Sequence, residues 1–438
     1  MATTLAANAA ATATMSFAPV RQGRSVQLQA WRGGVWTTIS SSVEDSAGSA
    51  RVPVDTATPG TMSYRAWAAA KNGATAIASA SKSVTVGSPP VSGWHSLSAG
   101  YSSTCGVRTN GDGWCWGSNF YGELGDGTLV NRESPVRVAG GGTWLSLDSG
   151  GSHTCGVKTD GSAWCWGRND YGELGDGSNV SSATPVEVYG DQTWKSVSSG
   201  FHHSCGVRSD ASVWCWGWTG SGSDPADRTT KPVRVGTRTW ASVSAGLNFS
   251  CGVRSDATAW CWGSNGFSNL GDGTTTSSVP PVQVAGGATW AGITAGELHA
   301  CGRRVDGTTW CWGLRSFSTN GEDPDDIQVL PTRVGTATWT ALSTEGFHNC
   351  GIQPGGTAWC WGPGGTGQLG NGGFNVQLNP TKVSGFGTWT AISSGEDYTC
   401  GVKSDQTAWC WGSNGLGQLG VAGTADRSVP TLVKEPVG

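Results

Sequence analysis

The sequence predicts an all-β protein: a seven-bladed β-propeller of about 50-residue repeats, preceded by a small N-terminal β-sandwich. Three observations lead there. The segment Cys105-Gly106-Val107 … Trp114-Cys115-Trp116-Gly117 recurs seven times, with first cysteines 50, 50, 46, 50, 49 and 50 residues apart. Self-similarity at such a period marks repeat architectures. Each copy also reads as four short strands separated by turn residues, and four strands per unit are the make-up of a propeller blade. Finally, charged residues are 13% of the chain while there are 70 glycines and 25 tryptophans. That balance suits a β-protein with many tight turns and large buried aromatics.

Residues 1–16 are rich in Ala and Thr and are expected to form a flexible tail. Residues 17–86 carry period-two strand patterns. They are Ser25–Trp31, Val35–Ile39, Arg51–Val54, Met62–Trp67 and Ser83–Val86, with Gly33-Gly34 as a hairpin turn between the first two. This block resembles the small immunoglobulin-like β-sandwich modules of secreted actinobacterial proteins, which implies a spacer or adhesion role. Residues 87–93, with Pro89-Pro90, read as a linker. The propeller is expected over residues 94–438. In its first copy, strand a is Trp94–Gly100, strand b starts at Cys105, a turn lies at Asn110-Gly111, strand c is Trp114–Trp116 and strand d is Pro135–Val138. A tryptophan opens strand a in every copy: Trp94, Trp144, Trp194, Trp240, Trp290, Trp339 and Trp389. Strand d of the last copy, Pro430–Val433, is expected to join the first blade and so clasp the ring.

The pattern "W.S.S.G..HSCGV..DG..WCWG.N..GELGDG......PV.V" resembles the regulator of chromosome condensation repeat. The resemblance runs from Trp94 to about Val433 and implies the propeller fold. It departs from intracellular members, which carry small or apolar residues where this chain has cysteine in strands b and c.

A hairpin centred on Asp160 opposes Val157 to Ala163 and Cys155 to Cys165. Directly opposed Cβ atoms lie about 4.5–5.5 Å apart, close enough to bridge. The same register holds in every copy, so the expected disulfides are Cys105–Cys115, Cys155–Cys165, Cys205–Cys215, Cys251–Cys261, Cys301–Cys311, Cys350–Cys360 and Cys400–Cys410. The ten-residue offset matches neither a zinc knuckle nor a C-x-x-C redox motif. Paired cysteines in this number imply an oxidising compartment, hence secretion or the cell surface. Met1–Thr14 lacks the basic start and apolar core of an export signal. Along strand c, Trp164 and Trp166 share one face and Cys165 takes the other, so the tryptophans are expected between blades.

The sequence carries no H-E-x-x-H, G-x-S-x-G or phosphate-loop motif, and no metal or cofactor is expected; the reading is of a non-enzyme. Net charge is −4 with no Lys/Arg run, which argues against nucleic acid, and no apolar run is long enough for membrane insertion. The recurring Gly122–Gly127 and Gly172–Gly177 stretches are read as turns rather than calcium loops, which need several converging carboxylates. Asp323–Asp326 is read no differently. His153, His203, His299 and His348, each two residues before a first cysteine, are read as donors or acceptors stabilising the a–b turn rather than as a ring of ligands.

An up-down meander puts the a–b and c–d loops of every blade on one face. These loops vary between copies and carry aromatic residues and arginine, the usual anchors of protein interfaces. The candidate binding residues are Tyr101, Phe120, Tyr121, Arg168, Tyr171, Phe201, Trp218, Leu247, Phe267, Arg315, Phe317 and Phe347. The a–b loops also hold His202, Glu297 and Glu396-Asp397. The expected function is secreted, non-catalytic protein binding through this face. The family resemblance, which extends to bacterial propellers that inhibit β-lactamases, implies an inhibitor-like role. A cell-wall or carbohydrate-binding module is the alternative, with a surface glycan as partner. Nucleotide exchange, the activity of the family's namesake, would require a reducing compartment.

Overall fold

The computed structural model describes residues 93–218, 227–314 and 327–435 of the repeat region. Before them it describes residues 3–5, 12–16, 22–32, 35–47, 49–53, 60–71, 75–79 and 82–86. The Gly33-Gly34 turn, Pro89-Pro90, Arg315, Phe317 and Asp323–Asp326 lie outside the described residues. The chain divides into two compact units, Met1–Ser92 and Gly93–Gly438.

In the first unit, β1 (Thr3–Leu5), β3 (Ser25–Arg32), β4 (Val35–Val43), β6 (Gly60–Ala68), β7 (Ile77–Ala78) and β8 (Lys82–Val86) form one sheet. β2 (Thr12–Ser16) and β5 (Ser49–Pro53) form a second. Met15 and Ala50 from the small sheet share a core with Val26, Leu28, Ala30, Tyr64 and Ala68 from the large one. Buried Arg24 and Glu44 pair at 2.7 Å. The flexible tail expected over residues 1–16 is corrected for its described residues, 3–5 and 12–16. β1 pairs in parallel with β8, and β2 pairs with β5 along Thr12–Ser16. The β-branched threonines suit a strand, and Met15 supplies an apolar anchor.

In the second unit the described residues form seven four-stranded antiparallel sheets, each a meander in which consecutive strands are neighbours. The first is Trp94–Ala99, Ser103–Arg108, Gly113–Gly117 and Arg132–Arg137, or strands a to d. In each of the seven, the two cysteines face each other across strands b and c and are bonded, with Cα atoms 4.0–4.1 Å apart. All 14 are thereby paired.

Neighbouring sheets meet through two unlike faces. The disulfide face of one packs on the tryptophan face of the next: Cys105, Val107, Cys115 and Leu124 share a core with Trp144, Leu147 and Trp166 of the second repeat. The second tryptophan of strand c is fully buried here, whereas the first, such as Trp164, stays half-buried. Lys158 lies 4.0 Å over the Trp164 ring. The Trp166 indole Nε1 donates to the Glu123 carbonyl, 2.8 Å away in the previous repeat's c–d loop. Gly125 makes that approach possible, because at φ +68° a Cβ would lie 2.7 Å from the indole nitrogen. The same bond recurs as Trp216 to Glu173, Trp312 to Asn269, Trp411 to Gln368 and Trp116 to Gln418.

That last bond joins the final repeat to the first, so the sheets close into a ring. The Tyr398 hydroxyl adds a bond to the Ser103 carbonyl at 2.7 Å, and Glu396 N donates to the Gly100 carbonyl at 3.3 Å. The expected clasp is not formed. Strand d of the last repeat, Arg427–Leu432, pairs with its own strand c, Cys410 opposite Thr431. The reason is local: Asn414 ties its loop shut through the carbonyls of Gly423 (2.7 Å) and Ala425 (3.3 Å), returning the chain beside its own sheet.

Two outcomes follow for stability. Trp166→Phe, which removes one buried indole donor, should cost about 1–2 kcal/mol, and Trp166→Ala about 3–5 kcal/mol, measured by chemical denaturation. Replacing Cys155 and Cys165 together by Ala should cost about 2–4 kcal/mol; an unchanged midpoint would show the bridge contributes nothing.

Candidate functional site

The c–d loop that carries Tyr171 is held rigid from within. Asn169 Nδ2 donates to the carbonyls of Ser178 (3.1 Å) and Val180 (3.2 Å), and Leu174 N donates to Asn169 Oδ1 at 2.9 Å. Glu173 Oε2 accepts from Tyr171 N at 2.8 Å, and Asp176 accepts from Ser178 N at 2.8 Å. In the first repeat Asp126 accepts from Thr128 and from Arg132. These carboxylates brace turns, consistent with reading the motif as a loop scaffold. In six repeats the start of the c–d loop is also tied to the a–b loop beside it, as in Arg168 N to the Ser152 carbonyl and Trp218 N to the His202 carbonyl, both 2.9 Å; the sixth repeat has Pro363 there, which has no N–H to donate. The two loop sets therefore share one face.

On that face the structure joins residues from three consecutive repeats. Tyr101 meets Phe201 edge-on at 5.3 Å, and Phe201 meets His202 at 4.5 Å. His202 lies 4.6 Å from Tyr171 and 5.8 Å from Trp218, and Tyr171 stacks on Trp218 at 5.6 Å. The Arg168 guanidinium sits 5.3 Å from both the Tyr121 and Tyr171 rings and pairs with Asp170 at 2.7 Å. Arg228 covers Tyr171 at 4.5 Å. Six of the sequence-predicted residues, Tyr101, Tyr121, Arg168, Tyr171, Phe201 and Trp218, thus form one continuous aromatic and cationic belt. Phe120 and Phe267 are exposed and stand apart from it. Leu247 lines the mouth of the central channel with Tyr101 and Phe201. Phe347 is half-buried in the sixth repeat. Arg228 was not legible in the sequence: it opens strand d, and nothing in the local pattern places it over a ring from the repeat before.

The histidines are hydrogen-bonded, but across repeats rather than within the a–b turn. His153 Nε2 meets Ser204 Oγ at 2.7 Å, His203 meets Ser250 at 2.7 Å, His299 meets Asn349 at 2.9 Å and His348 meets Thr399 at 2.7 Å. Burial lowers all four below the ordinary histidine range, His153 and His348 to about 3 and His203 to about 4, so they are neutral. Burial has the opposite effect on the face's carboxyls. Glu173, Glu297 and Glu396 are each pushed up to about 7. Glu173 Oε1 lies 4.0 Å from His202 Nδ1 beneath the belt.

The regulator of chromosome condensation (RCC1) repeat matches residues 110–157, 160–207, 355–402 and 405–438. A second profile of the same description matches 94–123, 144–173, 194–223, 240–269 and 389–418. Together these spans cover more than half the chain. The protein belongs to the RCC1-repeat family. Its fold is similar to that of Prp20p from Saccharomyces cerevisiae, with TM-score 0.67 and 19% identity over 74% of this chain and 85% of that one. It is also similar to human WBSCR16, with TM-score 0.64 and 17% identity over 80% and 95%. At these identities the likeness is one of fold. No curated protein sequence matches this RCC1-repeat chain. No helix among its described residues is long and apolar enough to cross a membrane.

The buried groups set a pH profile. A histidine whose folded pKa is depressed loses stability as pH falls below its unfolded value near 6.5, by about 1.4 kcal/mol per pH unit for each fully buried ring. A carboxyl whose folded pKa is raised works oppositely and gains stability as pH falls from 7 towards 4.5. The melting temperature should therefore change little between about pH 7 and 5 and drop below about pH 4.5, where the histidines still act and the turn aspartates, held low by their hydrogen bonds, begin to protonate. Thermal melts across this range check it; a steady fall from pH 6.5 would contradict the opposing contributions.

Proposed function

We propose that this protein is a secreted, non-catalytic binding protein: a seven-bladed propeller that holds a protein partner on its loop face, with an immunoglobulin-like module as spacer. The belt of Tyr101, Tyr121, Arg168, Tyr171, Phe201 and Trp218 carries the reading. It concentrates the residue types that dominate interface energetics on braced loops, so little conformational entropy is lost on binding. Seven bonded cysteine pairs suit an oxidising compartment and make a nucleotide-exchange role in the cell interior the weaker reading. Prp20p, which shares the fold, has been characterised for binding to Gsp1p and histones. This chain is inferred to use the same kind of scaffold for a different, extracellular protein, in an inhibitor-like manner and without nucleic acid. Tyr171–Trp218 stacking also suits a sugar ring, so glycan is the alternative.

Immobilised wild-type protein and a Tyr171→Ala/Trp218→Ala variant, each verified as folded, should be challenged with secreted proteins and with purified cell-wall glycan. Wild type should retain a discrete protein, and the variant should retain it at least about tenfold less. Equal retention by both, or retention of glycan alone, would overturn the reading.

A further inference from the structure

The mouth of the central channel adds a statement about the partner's chemistry, resting on the loop face being a binding surface. Around the axis, Gly100, Gly150, Gly200, Gly246, Gly296 and Gly395 each stand five residues before a first cysteine. Their backbones abut: Tyr101 N donates to the Gly150 carbonyl at 3.1 Å and Phe201 N to the Gly246 carbonyl at 3.2 Å. There is no room for a side chain in this ring; a Cβ on Gly150 would lie 2.4 Å from the Gly200 carbonyl oxygen. In the sixth repeat the equivalent position is Glu345, and the spacing from Cys301 to Cys350 is one residue short of the usual 50.

Glu345 lines the cavity at this mouth, opposite Tyr101 and Phe201 and beside Glu297 and Glu396. Glu345 is half-buried, and its carboxyl makes no hydrogen bond among the described residues. Burial, with Asp148 nearby, pushes it well above the ordinary carboxylate range. Glu297 Oε1 is likewise buried without a partner among the described residues. The Tyr101 hydroxyl donates to Glu396. A buried carboxyl oxygen without a partner is costly, and here it shares a cavity with a second unpartnered carboxyl and two aromatic rings. A cation would be attracted to both the acids and the ring faces. Among the described residues no group of three or more His, Cys, Asp or Glu is placed to hold a metal ion. The cavity measures about 40 Å³. That is far below the roughly 300 Å³ of a metabolite pocket, yet enough for the tip of one side chain.

We propose that the axial mouth is a socket for one primary ammonium, presented by a lysine side chain of the protein docked on the loop face. Glu345 forms the floor, Glu297 and Glu396 the acidic wall, and Tyr101 and Phe201 the aromatic wall. The titratable groups facing Glu345 are Asp148, Glu297, Glu396, Tyr101 and Tyr398. An arriving ammonium displaces protons from the raised carboxyls, so binding tightens with pH.

NMR titration of the full chain with acetyl-Gly-Lys-Gly-amide, its norleucine counterpart and n-butylamine tests this. The lysine peptide should bind at least about tenfold tighter than the norleucine peptide. Affinity should rise between about pH 6 and 8. Glu345→Gln and Glu297→Gln, with melting temperatures not lowered, should each weaken binding by about tenfold. Equal binding of both peptides, no binding of the lysine peptide, or unaltered affinity in both variants would reject the socket. Butylamine binding without any binding of the lysine peptide would reject a lysine as its occupant. Partner capture that still depends on Tyr171 and Trp218, without lysine-peptide binding, would leave the binding-face reading standing and remove this inference alone.

Discussion

One contact governs this architecture: a buried indole N–H that finds its acceptor only in the neighbouring repeat. Trp166 cannot satisfy its nitrogen within its own sheet; the Glu123 carbonyl, 43 residues earlier, does so. A buried donor left unpaired costs about 1–3 kcal/mol, so an isolated repeat is penalised and an open array leaves one end unsatisfied. Closure removes the defect, since Trp116 of the first repeat finds Gln418 of the last. The seam therefore uses the same chemistry as the neighbouring junctions, and strand exchange is unnecessary. This dependence on neighbours is the general logic of repeat proteins, here bent into a circle.

The two faces of each sheet are divided accordingly. One presents a disulfide with small residues, the other two aromatic planes, and they alternate around the ring without a like-with-like junction. Strand-b cations such as Lys158 and Arg208 cover the outer tryptophan, Arg208 at 3.6 Å from the Trp214 ring, shielding apolar surface that is not fully buried. Because the frame is pinned by covalent bonds inside repeats and by indole bonds between them, the loops at one end can differ freely without loss of fold. That is the arrangement expected where variable loops on a rigid scaffold carry function.

The resulting face is electrostatically uneven. Repeats one to three contribute aromatic rings and the guanidinium groups of Arg168 and Arg228, while repeats five to seven contribute Glu297, Glu345, Glu396 and Asp397 near the axis. On the proposed binding role, a partner complementary to it would itself be dipolar, and mismatched charges would be disfavoured.

Much of this was set by the sequence alone, where the decisive interactions are local. Hairpin register across Asp160 dictates that Cys155 opposes Cys165, and period-two alternation dictates that Trp166 points away from the disulfide. The repeat spacing dictates that the loops share a face. Tertiary structure decided whatever depends on a partner about fifty residues away. His153 bonds Ser204 in the next repeat rather than its own turn, Arg228 crosses to Tyr171, and the final strand stays in its own sheet because Asn414 closes its loop. Glu345 shows both: its place in a ring of glycines is written in the spacing, but that its carboxyl faces the channel unpartnered follows only from how seven backbones crowd one axis.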